Sequence, residues 1–205
     1  MEDKKYIEDL SHIKEVMNRS SRSISLTGLS PIAAGIIGAI GAYLAYSMFF
    51  RDYGAMGYEK LTLSAEHMQT LNLLVWPTLV LGLGSGLLFA LLKIRRSSRN
   101  ISPEQIRRMF VNLFVPLVAG GLACLVLFTN GYIIFVLGLS LIFYGLALIN
   151  TDKYTFDDIK TLGLLEIILG LTALYLPDYG IIFWGIGFGL LQIIYGLIMQ
   201  TKSSS

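Results

Sequence analysis

The sequence predicts an all-α polytopic membrane protein with six transmembrane helices, arranged as three hairpins, because of its apolar segments and its placement of basic residues. Each of six apolar segments is close to the roughly 20 residues that a helix needs to cross a hydrocarbon core. The chain is 54% hydrophobic and 15% charged, whereas soluble domains are roughly 25% charged. The predicted spans are 31–50, 71–92, 109–128, 132–149, 161–176 and 180–200.

The basic residues fall on one side of these spans. The chain has 16 Lys and Arg residues, and all but Arg51 and Lys60 lie before the first span, after the last span, or in the second and fourth loops. Basic loops stay in the cytoplasm. We therefore expect a multi-pass protein of the inner cell membrane, with cytoplasmic N- and C-termini and three hairpins that point outward.

The N-terminal arm, residues 1–25, precedes the six-helix domain at 26–205. Its apolar residues Tyr6, Leu10, Ile13 and Met17 recur at helical spacing between charged residues, which predicts a cytoplasmic amphipathic helix. This helix either lies on the inner membrane surface or packs under the bundle, or it docks a cytoplasmic protein partner. No signal-peptide pattern precedes the first span, so we expect that span to direct insertion.

Small residues recur inside the first two spans. Gly35, Gly38 and Gly41 lie in span one, and Gly82 and Gly86 lie in span two. Small side chains let two helix backbones approach closely in lipid, where packing drives association. We expect spans one and two to pack on each other, or one of them to pack on another subunit.

Helix starts and stops frame the later spans. Ser102, Pro103 and Gln105 form a capping box, which predicts a helix that begins near residue 103, before the third span enters the membrane. Asn130-Gly131 predicts a reversal of the chain after that span, because both residues accept left-handed conformations.

The outer ends of the last two spans carry turn and aromatic residues. The segment 177–180 predicts a second reversal, with Asp178 as a candidate cap for span six. Trp76 and Trp184 lie toward the outer ends of their spans, a position typical of an interfacial aromatic belt.

Spans three and four resemble spans five and six, as if one hairpin were repeated. The matching residues are Gly138-Leu139 with Tyr144-Gly145-Leu146, and Gly189-Leu190 with Tyr195-Gly196-Leu197. Both copies start and end inside, which predicts a parallel repeat about an axis along the membrane normal. The alternative is chance agreement, because apolar segments draw on few residue types.

Two parts of the chain resemble known families. The segment Gly163 to Leu197, with Pro177 and Gly180 in its turn, is similar to the hairpin of the HdeD-like small membrane proteins, which have six spans. The stretch 10–30, which includes His12 and Arg22, resembles an integral membrane family of Bacteroidetes. Neither resemblance implies a reaction, a cofactor or a catalytic residue.

Glu166 is the one ionisable residue inside a predicted span. A charge at such depth is costly and often functional, so Glu166 is either part of a proton or cation relay or polar ligand site, or a neutral group that fixes helix packing. Gln192 lies at similar depth, and we predict a hydrogen bond between the two side chains. The candidate intramembrane polar site comprises Asn112, Tyr144, Glu166, Gln192 and Tyr195.

The residues expected for other chemistry are missing from the sequence pattern. Cys124 is the single cysteine, and His12 and His67 both lie outside the predicted spans, so we expect no catalytic site, no metal site and no cofactor. The basic loop 93–108 is flanked by spans, which favours membrane lipids with anionic headgroups over nucleic acid as its partner.

Two hypotheses for function follow. The first is a non-enzymatic integral membrane protein that acts through interactions at its cytoplasmic face, with a cytoplasmic protein partner or as a homo-oligomer. The alternative is a small transporter or channel-like protein that uses Glu166 in a polar intramembrane cavity. A cavity open only to the cytoplasm suits the positions of the polar residues better than a pore through the bundle.

Overall fold

The computed structural model describes residues 29–50, 103–152 and 159–203, and within these ranges the protein is helical and contains no strand. Helix α1 is Leu29–Ala45 and continues into a π-helical segment, Tyr46–Phe50. The next helices are α2, Pro103–Thr129, α3, Ile133–Thr151, and α4, Ile159–Tyr175. Helix α5, Gly180–Gly185, the π-helical segment Ile186–Leu191 and α6, Gln192–Ser203, run on without a break and are together called the C-terminal helix.

Four of the described helical stretches are long and apolar enough to cross a membrane: Leu29–Met48, Arg107–Thr129, Ile134–Thr151 and Pro177–Thr201. Helix α4 has 17 residues, which is the short end of the length range for a span. Large apolar side chains such as Val115 and Leu122 point out of the bundle, 62% and 58% exposed. An apolar exterior on helices of this length confirms the predicted class of helical membrane protein. The arm 1–25, span 71–92 and the loop up to residue 102 lie outside the described residues.

The predicted starts and stops of α2 are confirmed. Its first residue is Pro103, and it ends in a reversal at Gly131, which has a φ of 83°. The N–H of Tyr132 donates to the Leu127 carbonyl at 2.8 Å, and that of Gly131 donates to the Phe128 carbonyl at 3.1 Å. This pair of bonds is a Schellman motif, in which glycine takes the left-handed position at the least cost.

The second reversal differs in one detail from the prediction. Pro177–Tyr179 forms a 3₁₀ turn, as the proline suggests. Tyr179, and not Asp178, is the residue that precedes α5, and no side chain makes a capping hydrogen bond there. The cap prediction was therefore wrong, because the 3₁₀ turn already places Asp178 inside a helical turn.

Helices α3 and α4 cross through two pairs of glycines. Gly138 faces Gly170. Gly145, seven residues later on α3, faces Gly163, seven residues earlier on α4. A Cβ on Gly163 would lie 2.7 Å from the Gly145 carbonyl oxygen, and one on Gly170 would lie 2.7 Å from that of Gly138. The two backbones are thus in direct contact, the kind of packing that holds helices together in lipid.

Helix α1 packs on the C-terminal helix by the same means. A Cβ on Gly35 would meet the Gly189 carbonyl oxygen at 2.8 Å, and Gly38 lies against the backbone of Phe188. Gly185 faces Ala42. The predicted partners of this helix were span two, which lies outside the described residues, or another subunit. The partner that the structure describes is the last helix of the chain.

The contacts also give the direction of each helix. Three pairs of helices are antiparallel, because their contacting positions run in opposite order: α3 with α4, α1 with the C-terminal helix, and α2 with α3. In the last pair, Gly120 meets Phe143, and the Cys124 thiol donates to the Val136 carbonyl. Helix α3 and the C-terminal helix run parallel, because Ser140 pairs with Trp184 and Tyr144 pairs with Gln192. The starts of α1, α2 and α4 therefore share one end of the bundle with the ends of α3 and α6.

The parallel course of α3 and the C-terminal helix is the arrangement that a parallel repeat requires. Their matching glycines, Gly138 and Gly189, both lie against a helix of opposite direction. For Gly138 that helix is α4, and for Gly189 it is α1, where the nearest residue is Ala39. Equivalent positions thus make equivalent contacts, although with different neighbours.

Candidate functional site

The central polar cluster of the described bundle joins three helices. Tyr144 comes from α3, Glu166 from α4, and Gln192 from the first turn of α6. Glu166 has no exposed surface, and Gln192 is 3% exposed. At a rise of about 1.5 Å per residue, Glu166 lies roughly 10 Å from the first residue of α4. The cluster is therefore buried in the bundle but nearer to one end.

Gln192 is the hydrogen-bond donor that links the cluster. Its Nε2 donates to the Tyr144 hydroxyl oxygen at 2.8 Å and to Oε1 of Glu166 at 3.4 Å. The predicted bond between Glu166 and Gln192 is thus present, although it is long, and the shorter bond goes to Tyr144. Because a buried polar group without a partner is costly, these bonds favour one relative position of the three helices.

Gly187 makes room for the carboxyl group. A Cβ on Gly187 would lie 2.5 Å from Oε2 of Glu166 and 2.5 Å from Cδ2 of the fully buried Leu141. Gly187 belongs to the π-helical segment Ile186–Leu191, and wider turns of this kind are frequent at functional sites. The sequence pattern did not predict this place of Gly187 beside Glu166.

The second oxygen of Glu166 has no described hydrogen-bond partner. Oε2 is buried, and among the described residues no donor or acceptor reaches it. The ion pair that the structure does describe joins Arg108 to Glu104 at 2.8 Å. It is exposed and lies on a different helix, α2. The carboxyl group therefore has one filled and one open hydrogen-bonding position, in surroundings that disfavour an unbalanced charge.

An aromatic row lies beside the cluster, toward the opposite end of the bundle. The Phe188 ring lies between those of Tyr144 and Trp184, with centroids 5.0 Å from each. Nε1 of Trp184 donates to the Ser140 hydroxyl oxygen at 3.2 Å. Besides the belt position predicted for it, Trp184 has an N–H that is turned inward and ties the C-terminal helix to α3.

The other two predicted site residues have different surroundings. Tyr195 packs beside the buried group Leu148, Ile159 and Leu162. Asn112 lies on α2, and its side-chain amide donates to the Arg108 carbonyl one turn earlier at 2.8 Å. The structure therefore joins Tyr144, Glu166 and Gln192 directly, places Tyr195 on the neighbouring turn of α6, and engages Asn112 with the backbone of its own helix.

The chemistry open to this cluster is the binding of a proton or a small cation by a carboxyl group. Within the described ranges, no three His, Cys, Asp or Glu side chains come together as metal ligands. Cys124, a free cysteine, is half-buried and donates from its thiol to a backbone carbonyl. Glu166 thus carries the acid–base capacity of the buried site.

The fold and the site define a helical membrane protein with a buried polar cluster around one carboxyl group, that of Glu166. The chain matches none of the family models, curated proteins or solved structures with which it was compared.

Proposed function

We propose that the protein spans the inner membrane six times and has both termini in the cytoplasm. The helix directions support this topology, because they bring the starts of α2 and α4 to one end, with the exposed residues Arg107 and Lys160. Basic residues favour the cytoplasmic side. Helix α1 ends at the opposite end from the start of α2, so a returning span at 71–92 agrees with the course of the described helices.

Single-cysteine labelling tests this topology. On a Cys124→Ala background, we expect Asn130→Cys to react with a membrane-impermeant maleimide in intact spheroplasts. Lys160→Cys should react only after the membrane is permeabilised, because α4 starts at the cytoplasmic end. Both positions belong to exposed residues, so a common permeabilised sample controls for reactivity. Labelling of residue 160 from outside would refute the proposed orientation.

The function that we favour is non-enzymatic interaction at the cytoplasmic face. The observation that carries this proposal is the clustering of described cations at one end of an otherwise apolar surface. Arg107 is exposed and Arg108 shares its charge with Glu104. The basic loop 93–108 would bind anionic headgroups, at about 1 kcal/mol per basic residue near the surface. The arm 1–25 would recruit a cytoplasmic protein partner, and a homo-oligomer would double this face.

Native mass spectrometry of gently extracted protein tests the interaction. We expect a stoichiometric second protein, or a second copy, that is lost when residues 1–25 are deleted. In the same spectra, Arg107→Gln should lower the retention of anionic lipid about fivefold relative to zwitterionic lipid, which corresponds to about 1 kcal/mol. Lys60→Gln, which removes one charge from the predicted first outer loop, is the matched control. A partner retained without the arm, and lipid binding indifferent to Arg107, would argue against this function.

The second candidate function is transport of a small cation through a cavity that contains Glu166. The specific observation in its favour is the open Oε2 position of a fully buried carboxyl group. The HdeD-like resemblance of the last hairpin is compatible with both candidates, since it implies no reaction. Uptake into proteoliposomes, with and without Glu166→Gln, measures transport directly.

A further inference from the structure

The buried carboxyl group of Glu166 lacks a hydrogen-bond partner among the described residues in either of its ionisation states. As a carboxylic acid it would carry its proton on Oε2, because Oε1 already accepts from Gln192, and Oε2 has no described acceptor. As a carboxylate it would need a second donor or a cation at the same atom. One hydrogen-bonding position of this carboxyl group is therefore left without a partner among the described residues.

The groups that face Glu166 do not balance a negative charge. Helix α3 contributes Tyr144 and Leu141, and the C-terminal helix contributes Gly187 and Gln192. Tyr195 is the titratable group that α6 contributes near the cluster. Helix α1 contributes no titratable group there, because it contacts the neighbouring Phe188 through Gly38. In the described part of the chain, the one ion pair shown is on α2. An isolated carboxylate is strongly disfavoured in such surroundings, so the carboxyl group is held in its neutral form.

The local structure also lets the proton exchange. The hydrogen bond from Gln192 to Oε1 is long at 3.4 Å, so it holds the carboxyl group weakly. Gly187 places no side chain of its own against Oε2, where Leu141 also packs, and it lies in a widened helical turn. About two turns of α4 separate Glu166 from the exposed Lys160 at the nearer end of the bundle. The carboxyl group is therefore close to that end, with the buried side chains of Ile159 and Leu162 on the turns of α4 between them.

We propose that Glu166 is an exchangeable proton-binding site within the bundle, with Gln192 as its positioning residue, and that it exchanges with the cytoplasmic end. The ligand class is a proton on a carboxyl group, in preference to a metal cation, because the described cluster offers one open oxygen and no set of ligands for a metal. This proposal deepens the second candidate function, transport of a small cation. Proton binding at Glu166 does not depend on that function, but a role of the bound proton in transport does.

Labelling with dicyclohexylcarbodiimide tests the site in the full chain, in nanodiscs of native lipid. This apolar reagent modifies protonated carboxyl groups in apolar surroundings. The carboxyl O–H adds across one C=N bond, with the proton going to nitrogen and the oxygen to the central carbon. The acyl group then migrates to nitrogen and gives a stable N-acylurea, and no group leaves. Peptide mass spectrometry locates the product.

We expect Glu166 to be labelled, and its labelling to fall about tenfold per pH unit once the site loses its proton. Glu104, whose side chain is 63% exposed, is the internal control and should react instead with a water-soluble carbodiimide. The absence of labelling at every pH, or labelling that does not depend on pH, would overturn the proposal. Suppression by sodium but not by choline at constant pH would also overturn it, in favour of a metal cation site.

Failure of the site and failure of the transport function are distinguishable. Labelling reports on the wild-type chain and needs no variant that might fail to fold. If Glu166 is labelled with the expected pH dependence but proteoliposomes show no proton flux that Glu166→Gln alters, the site stands and the transport function fails. If flux occurs without labelling of Glu166, the proton takes another route and the proposed site is wrong.

Discussion

Replacement of Gly163 by leucine should separate α3 from α4 and lower the stability of the bundle by about 3 kcal/mol, the upper part of the range for overpacking. The first carbon of the new side chain would already lie 2.7 Å from the Gly145 carbonyl oxygen. The obstacle is backbone, so no rotamer change relieves it. We expect the melting temperature in detergent to fall by roughly 6–12 °C, measured by thermal loss of monodisperse protein.

The same exchange at Gly121 is the matched control. Gly121 lies in the apolar part of α2, and no described atom lies within 4 Å of a Cβ built there. Gly121→Leu should therefore stay within about 0.5 kcal/mol of the wild type. Equal melting temperatures for Gly163→Leu and the wild type would show that the glycine contact between α3 and α4 does not hold in the membrane protein.

Gln192→Leu should destabilise the protein by about 2 kcal/mol, because it leaves both Glu166 and Tyr144 without the donor that the structure describes. Glu166→Leu should cost less, since Gln192 keeps its shorter bond to Tyr144. In the double variant of Glu166→Leu and Gln192→Leu, no carboxyl group remains that could lose the Gln192 donor, so that part of the cost is absent. We expect a coupling free energy of at least about 1 kcal/mol from SDS-induced unfolding in mixed micelles.

A second cycle serves as the control for this coupling. Thr172 lies on the same helix as Glu166, but its hydroxyl donates to the carbonyl of Ile168 on its own helix at 2.8 Å. The effects of Thr172→Val and Gln192→Leu should therefore add. If the Glu166 and Gln192 variants are equally additive, the hydrogen bond between them contributes nothing to stability, and the cluster is not a coupled unit.

The sequence predicted the parts of the site that depend on depth alone. Glu166 and Gln192 could be paired before the structure was known, because the rise per residue places both near the same level in two adjacent spans. The reversal at Asn130-Gly131 was predictable as well, since left-handed conformations favour these residues. Both inferences use distances along one helix or one turn.

The features that the sequence analysis missed depend on helix rotation and helix neighbours. Small residues in the first span predict close packing, but their spacing does not name a partner. Among the described residues that partner is the C-terminal helix. The inward hydrogen bond of Trp184 depends on the rotation that brings Ser140 opposite it. Gly187 lies beside the Glu166 carboxyl group because of the π-helical segment that contains it. A glycine-rich sequence does not predict such a segment.

The contact between α1 and the C-terminal helix has a consequence for biosynthesis. Gly38 and its partner Phe188 are separated by 150 positions in the chain, 188 minus 38. At about 5–20 residues per second, the ribosome needs roughly 8–30 s to make the second after the first. The glycine face of α1 therefore lacks the partner that the structure describes for it until the last helix is made. Ribosomes stalled before residue 180 would leave that face without its described partner.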